Sequence, residues 1–107
     1  MHSVAEKITD RLVNDGFEIH CHDFVDEALE IFQEGFGASV TYHTDMKSCV
    51  DACDVAIILT PWQEYKELES MRDEQVVIDG WRLFENHFDG LIQMGNSKEV
   101  LHETVKN

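Results

Sequence analysis

Histidine and cysteine residues at short spacing are the first candidates for chemistry in this chain. His20 and His22 alternate along a β-prone stretch, which puts both imidazoles on one face of a strand, and Cys49 and Cys53 share one face of a helix. Zinc sites typically use cysteine pairs roughly two to four residues apart with a matching second pair, and the sequence has no such second pair. We therefore predict no metal site and expect Cys21, Cys49 and Cys53 to be free thiols.

A pair of carboxylates, Asp23 and Asp26, follows the same β-prone stretch. The pair resembles a phosphoacceptor cluster of the response-regulator type. The chain has no second acidic pair after an earlier strand and no lysine at a matching strand end. These carboxylates therefore do not indicate a phosphoryl-transfer site.

Alternating helices and strands must position any site that the chain has. Apolar residues recur at helical spacing in some segments and at strand spacing or in unbroken runs in others, with Gly or capping residues between them. The predicted helices cover residues 3–14, 25–35, 45–53, 61–71 and 97–105, and the predicted strands cover residues 17–23, 39–43, 54–59, 75–78 and 91–94. This order predicts a three-layer α/β sandwich with a mostly parallel, Rossmann-like sheet of about five strands.

The segment around Thr60 carries the clearest local signals. Residues 54–59 are almost unbroken in their apolarity, which predicts a strand that is buried on both faces. Thr60 is predicted to cap the next helix, with Pro61 at its first position and Gln63 completing a capping box. Because ligands of such folds bind beyond the carboxyl ends of the strands, the places to expect a site are the segments after the strand that ends at Asp23, after Leu59 and after Ile78.

The residues on either side of these strand ends match an extended pattern. Residues 54–65 read DVAIILTPWQEY, and residues 76–82 read VVIDGWR. Together they resemble the carboxy-terminal domain of the UDP-glucose/GDP-mannose dehydrogenase family, whose pattern is AD-x-x-x-x-x-T-x-W-x-E-(F/Y) followed by a strand that ends in Asp-Gly with an Arg nearby. The helix at Ser3–Leu12 and the strand at Gly16–Asp23 resemble the front of that domain, so that the resemblance covers residues 3–95.

The resemblance implies a nucleotide-sugar-binding domain that is not catalytic alone. The family binds NAD on a separate amino-terminal domain and attacks through a Cys in a G-x-C-x-P-K-D stretch, and neither feature is present in this sequence. We therefore expect no cofactor and no catalytic residue in this chain. The alternative function, from another class, is a stand-alone interaction or regulatory module that has lost the nucleotide-sugar site.

The family pattern also includes a first strand and a Lys-bearing loop that precede the first helix, and this sequence starts at the helix. The expected consequence is either a closed-up sheet, in which the strands at 17–23 and 54–59 become neighbours, or a gap filled by another chain. Direct pairing of the two strands is the simpler repair, and it narrows the sheet so that part of the apolar face of the flanking helices is exposed. We therefore expect a homodimer that high salt favours.

The resemblance implies five substrate-binding residues, at two strand ends. Arg82 is expected to contact phosphate or uridine, although the family's Arg often follows Asp-Gly directly and here Trp81 intervenes; the alternative is a surface ion pair with a carboxylate. The remaining four are Asp79, Gly80, Thr60 and Trp62. Two of them have alternatives: Trp62 stacks on uracil or packs in the core, and Asp79 binds ribose or caps the turn.

Composition limits the partners. The 107 residues suit one domain, and 22 acidic against 8 basic residues give a formal net charge of -14. Such a field repels nucleic acid and anionic membranes, and any anionic ligand must be held by local donors. No secretory signal or membrane span is visible, which predicts a cytoplasmic protein. The expected partners are a UDP-sugar, the rest of a dehydrogenase and a second copy of the chain.

Overall fold

A computed structural model of the protein describes residues 4–93. The described residues form two compact units, which divide between Asp54 and Val55. The α/β class with parallel strands is confirmed, and five strands are found. They lie in two sheets, one in each unit. Within the units, the strand at 19–22 pairs with the strand at 40–43, and the strand at 55–58 pairs with the strand at 76–79. The expected pairing of the strands at 17–23 and 54–59 stays a prediction. A single domain over residues 1–107 stays a prediction.

The first unit is built from three helices and a two-stranded parallel sheet. The helices are α1 (Val4–Asn14), α2 (Asp26–Phe36) and α3 (Met46–Asp51), and the strands are β1 (Ile19–His22) and β2 (Val40–His43), with a 3₁₀ turn at Gly37–Ser39. Helix α1 ends where the sequence predicts, because Gly16 adopts a φ of 89° and lets the amides of Gly16 and Phe17 bond back into the last turn. Asp45 caps α3 by accepting a hydrogen bond from the Ser48 amide.

The second unit holds a three-stranded parallel sheet in the order β3-β4-β5. Its elements are β3 (Val55–Ile58), a 3₁₀ helix (Gln63–Glu67) that continues into α4 (Leu68–Met71), β4 (Val76–Asp79) and β5 (Leu91–Gln93). One face of the sheet carries the core, in which Ile58, Val77 and Leu91 are buried. The predicted helix at 97–105 lies outside the described residues, and no helix within them is long and apolar enough to cross a membrane.

Strand β3 departs from the expected burial on both faces. Ile58 is buried, but Val55 and Ile57 remain 44% and 38% exposed. The physical reason is that alternate side chains of a strand point to opposite faces, and only the face that carries Ile58 packs into the core. The exposed face continues across the sheet, because Ile57 is in register with Ile78, and Ile78 with Ile92, which is 52% exposed.

Candidate functional site

The carboxyl edge of the second unit's sheet brings two predicted site segments together. Strands β3 and β4 are parallel, and Ile58 is the register partner of Asp79. The chain therefore leaves both strands at the same edge, into Thr60 on one side and Gly80 on the other. A Cβ built on Gly80 would lie 3.5 Å from the Ile58 carbonyl oxygen, so that the two segments are in contact range.

Asp79 organises this edge. Its side chain is fully buried. One carboxylate oxygen accepts from the Trp81 amide at 3.0 Å, and the other accepts from the Phe84 amide at 3.1 Å and from the Gln93 side chain at 3.0 Å. The predicted cap is therefore present: Asp79 closes the turn that follows its own strand. Gln93 extends this network to β5, since its amide also donates to the Phe84 carbonyl at 2.7 Å.

The ionised form of Asp79 is stabilised where it lies. Burial favours the neutral acid, but it is outweighed by hydrogen bonds from the Gln93 side chain and from the main-chain amides of Phe84, Trp81 and Leu83. Together these donors hold the pKa of the carboxyl below its ordinary value. The negative charge is thus stabilised by dipoles of the loop and of Gln93 in β5, and the carboxylate fixes the loop's shape.

Arg82 lies at the exposed end of the same loop. Its φ of 52° is in the left-handed region, which costs a residue with a Cβ about 1–2 kcal/mol. The side chain is exposed, and it makes no hydrogen bond or ion pair with any residue in the range 4–93. The alternative of a surface ion pair is therefore not realised there. An unpaired guanidinium held in a strained conformation is a pattern typical of binding loops.

Thr60 and Trp62 take a different local structure from the predicted helix start. The Trp62 amide donates to the Thr60 carbonyl at 2.9 Å, and this tight turn delays the helix to Gln63, with Trp62 rather than Thr60 at its N-cap position. No side chain caps this helix. The predicted capping box of Thr60 and Gln63 is therefore wrong, because the main chain closes its own turn first. Trp62 is 36% exposed, which is compatible with both of its predicted alternatives, packing in the core and stacking on a base.

Arg72 is a structural residue that the sequence does not single out. Its guanidinium donates to the Gln75 carbonyl at 2.8 Å and to the Asp89 carbonyl, and it lies 4.6 Å from the centre of the Phe88 ring. It therefore ties the long loop before β5 to the start of β4. Its partners are main-chain carbonyls 3 and 17 residues away, and no local pattern could have indicated them.

A shallow depression near α4 is a poor nucleotide site. It has a volume of about 180 Å³, below the roughly 300–1,000 Å³ of typical ligand pockets. Its lining includes Glu69 and Glu85, whose carboxylates repel an anion, beside Lys66. The geometry therefore favours the carboxyl edge over this depression.

The histidines and cysteines of the first unit form side-chain contacts. His20 Nδ1 lies 2.8 Å from His43 Nε2, and His20 Nε2 lies 2.7 Å from a Glu18 carboxylate oxygen. These contacts occupy both nitrogens of His20 and link β1 to β2. No group of three or more His, Cys, Asp or Glu side chains within residues 4–93 is arranged to hold a metal ion.

The three cysteines are free thiols, as predicted. Burial, with a smaller contribution from the neighbouring Cys53 thiol, raises the pKa of Cys21 to about 11, and the same two effects lead in raising the pKa of Cys49 to about 12. Burial also raises the pKa of Cys53. Protonated thiols are weak nucleophiles, so that none of them is activated for chemistry at neutral pH.

Comparison with known proteins identifies the family. Residues 1–86 match the model of the UDP-glucose/GDP-mannose dehydrogenase family, UDP binding domain. Over 53 residues the chain is 38% identical to the UDP-glucose 6-dehydrogenase TuaD of Bacillus subtilis (strain 168). The aligned stretch covers 45% of this chain and 12% of that enzyme. No solved structure matches the chain. The chain thus belongs to the UDP-glucose/GDP-mannose dehydrogenase family, and residues 1–86 correspond to its UDP-binding domain.

Proposed function

We propose that the carboxyl edge of the second unit binds the UDP portion of a UDP-sugar. The observation that carries the proposal is Arg82, whose guanidinium is exposed and has no partner in the described residues. Its main chain has a positive φ and belongs to a loop that the Asp79 carboxylate fixes through hydrogen bonds. The family membership supplies the ligand class. In this proposal the chain is the binding part of a nucleotide-sugar dehydrogenase.

Each residue of the edge has a distinct part in the proposed complex. Arg82 donates its fork of N–H groups to phosphate oxygens. Gly80, which has no side chain, lets the ligand approach the main chain. Thr60 offers a hydroxyl, and Trp62 is a partly exposed aromatic residue. Asp79 acts through the loop that it holds, because its carboxylate oxygens already accept hydrogen bonds from the protein.

The charge of the chain limits the affinity. A net charge of -14 opposes the approach of a diphosphate, so that local donors act against an unfavourable field. We expect a dissociation constant between high micromolar and millimolar, about 4–6 kcal/mol of binding free energy. The same field makes the affinity rise with moderate salt, because screening weakens the repulsion from distant carboxylates.

Replacement of Arg82 tests the proposed contact. Arg82→Asn removes the guanidinium but keeps a residue that tolerates the left-handed region, so that the loop keeps its shape. We expect UDP to bind about 10-fold or more weakly, the effect of losing a charge-assisted hydrogen bond. Equilibrium titration with UDP, followed by NMR, measures the change.

Two further variants complete this test. Arg82→Lys keeps the charge and should retain part of the affinity, whereas Arg11→Asn, at an exposed position of the first unit, changes the net charge equally and should leave the affinity within about twofold. Equal losses in Arg82→Asn and Arg11→Asn would mean that only net charge matters. UDP binding that survives Arg82→Asn unchanged would refute the assigned contact.

By itself the 107-residue chain should not oxidise a UDP-sugar. Hydride transfer in this family needs the NAD-binding domain and the Cys nucleophile, and the chain's own cysteines are half-buried thiols with raised pKa values. The chain spans 12% of the curated relative that it matches, so that any catalysis is proposed for other parts of a dehydrogenase.

A second proposed role is self-association through β3. Charged residues and proline are the usual protections of an exposed edge, and this edge strand has neither between Val55 and Ile58. Its outward residues Val55 and Ile57 continue into an exposed apolar face that reaches Ile92. A second copy fits this edge, because two β3 strands can pair antiparallel about a two-fold axis.

The dimer should be favoured by salt and blocked by a charge on the edge. We expect sedimentation to show more dimer at high salt, since screening reduces the repulsion between two bodies of charge -14. Ile57→Lys should shift the equilibrium to monomer. Ile31→Lys adds the same charge at a position of α2 that is 59% exposed and should not. A monomer at every salt concentration, or a dimer unaffected by Ile57→Lys, would exclude this role.

A further inference from the structure

Trp81 exposes more of its side chain than any other Trp, Tyr or Phe described in the second unit. It is 55% exposed, against 36% for Trp62. Its ring makes no aromatic contact and no hydrogen bond within residues 4–93, although its main-chain amide is fixed by Asp79 at 3.0 Å. A large apolar ring on a fixed main chain is costly to expose to water, and it is available to a planar ligand.

The neighbour of Trp81 restricts what that ligand is. Arg82 follows directly, and consecutive Cα atoms lie only about 3.8 Å apart. In an extended strand the two side chains would point to opposite faces, but the φ of 52° at Arg82 takes the chain out of that conformation. The loop thus presents an aromatic plane and a forked cation within one short turn. A ligand that matches both has a planar ring and an anionic group within the span of one nucleotide.

We propose that Trp81 stacks on the base of the bound nucleoside diphosphate while Arg82 contacts its phosphates. This inference rests on the proposed function and assigns the base contact to Trp81. Stacking reads the plane of a base rather than its edge, because every base has a π-face. Trp81 therefore contributes affinity for the nucleoside part and none for the phosphates.

Two ligands separate the two contacts. UDP carries both groups, whereas inorganic pyrophosphate carries only the anionic group. We expect Trp81→Ala to weaken UDP binding about 10-fold and to leave pyrophosphate binding within twofold, as a lost base stack requires. Trp81→Phe should keep part of the UDP affinity. Arg82→Asn should weaken both ligands. Phe17→Ala, which removes a 61% exposed aromatic of the first unit, serves as the matched control and should change neither.

NMR titration of the full chain gives the readout, with the indole N–H resonance of Trp81 as the local probe. The proposal predicts that UDP moves this resonance and that pyrophosphate leaves it nearly in place. It is overturned if Trp81→Ala weakens both ligands equally, which indicates a merely structural role, or weakens neither. If the unaltered chain binds neither ligand, the proposed function fails with it. If UDP binding depends on Arg82 but not on Trp81, the function stands and only this inference fails.

Discussion

Replacing Asp79 by asparagine should lower the free energy of unfolding of the second unit by about 2–4 kcal/mol. The carboxylate is fully buried and accepts hydrogen bonds from three N–H donors. An Asn side chain has one oxygen and one NH₂ group, so that at least one buried donor would face another donor. Tryptophan fluorescence measures the effect directly, because both Trp62 and Trp81 lie in the second unit.

The matched control is Asp73→Asn, at an exposed position of the same unit, which should change the unfolding free energy by less than about 0.5 kcal/mol. The acid dependence gives a second criterion. Because the folded pKa of Asp79 is depressed, its contribution is complete above the unfolded value of about 3.9 and is lost as pH falls through the lower folded pKa. Asp79→Asn should remove this part of the acid sensitivity. Equal stability of the two variants would contradict the role of Asp79.

Loss of the Arg72 side chain should be the other large effect. Arg72→Ala is expected to destabilise the second unit by about 2–3 kcal/mol, because it leaves the carbonyls of Gln75 and Asp89 without their donors and removes a cation from the face of Phe88. The same fluorescence-detected denaturation measures the change.

Lys66→Ala serves as the control for Arg72, since it removes an exposed cation from the same unit and should cost less than about 0.5 kcal/mol. Arg72→Lys should recover only part of the loss, because one ammonium group cannot reproduce the fork that reaches both carbonyls. A variant Arg72→Ala as stable as Lys66→Ala would mean that the loop before β5 is held by other contacts.

The order of the elements could be predicted because its signals are local. Gly16 ends α1 through its positive φ, and Asp45 caps α3 through its own side chain. The predicted helix start at Thr60 and Pro61 is wrong, although its motif is also local. There, the hydrogen bond between the Trp62 amide and the Thr60 carbonyl closes a turn that competes with the capping box.

The division of the strands between two sheets could not be derived from sequence patterns. Pairing of strands is set by hydrogen bonds between distant segments, and the apolar run of β3 is equally compatible with a central strand and an edge strand. The partners of the site residues were hidden for the same reason. Asp79 was interpretable as a cap, but its bond to Gln93, 14 residues away, has no local signature.

The measurement that tests the central claim most directly is a map of amide shifts during titration of the chain with UDP. The account predicts that the largest changes at millimolar UDP lie at Thr60, Gly80 and Arg82, at the carboxyl edge of β3 and β4, and that resonances of the first unit at His20 and Cys49 stay in place. No change anywhere, or changes centred on the first unit or on the depression at Lys66 and Glu85, would contradict it.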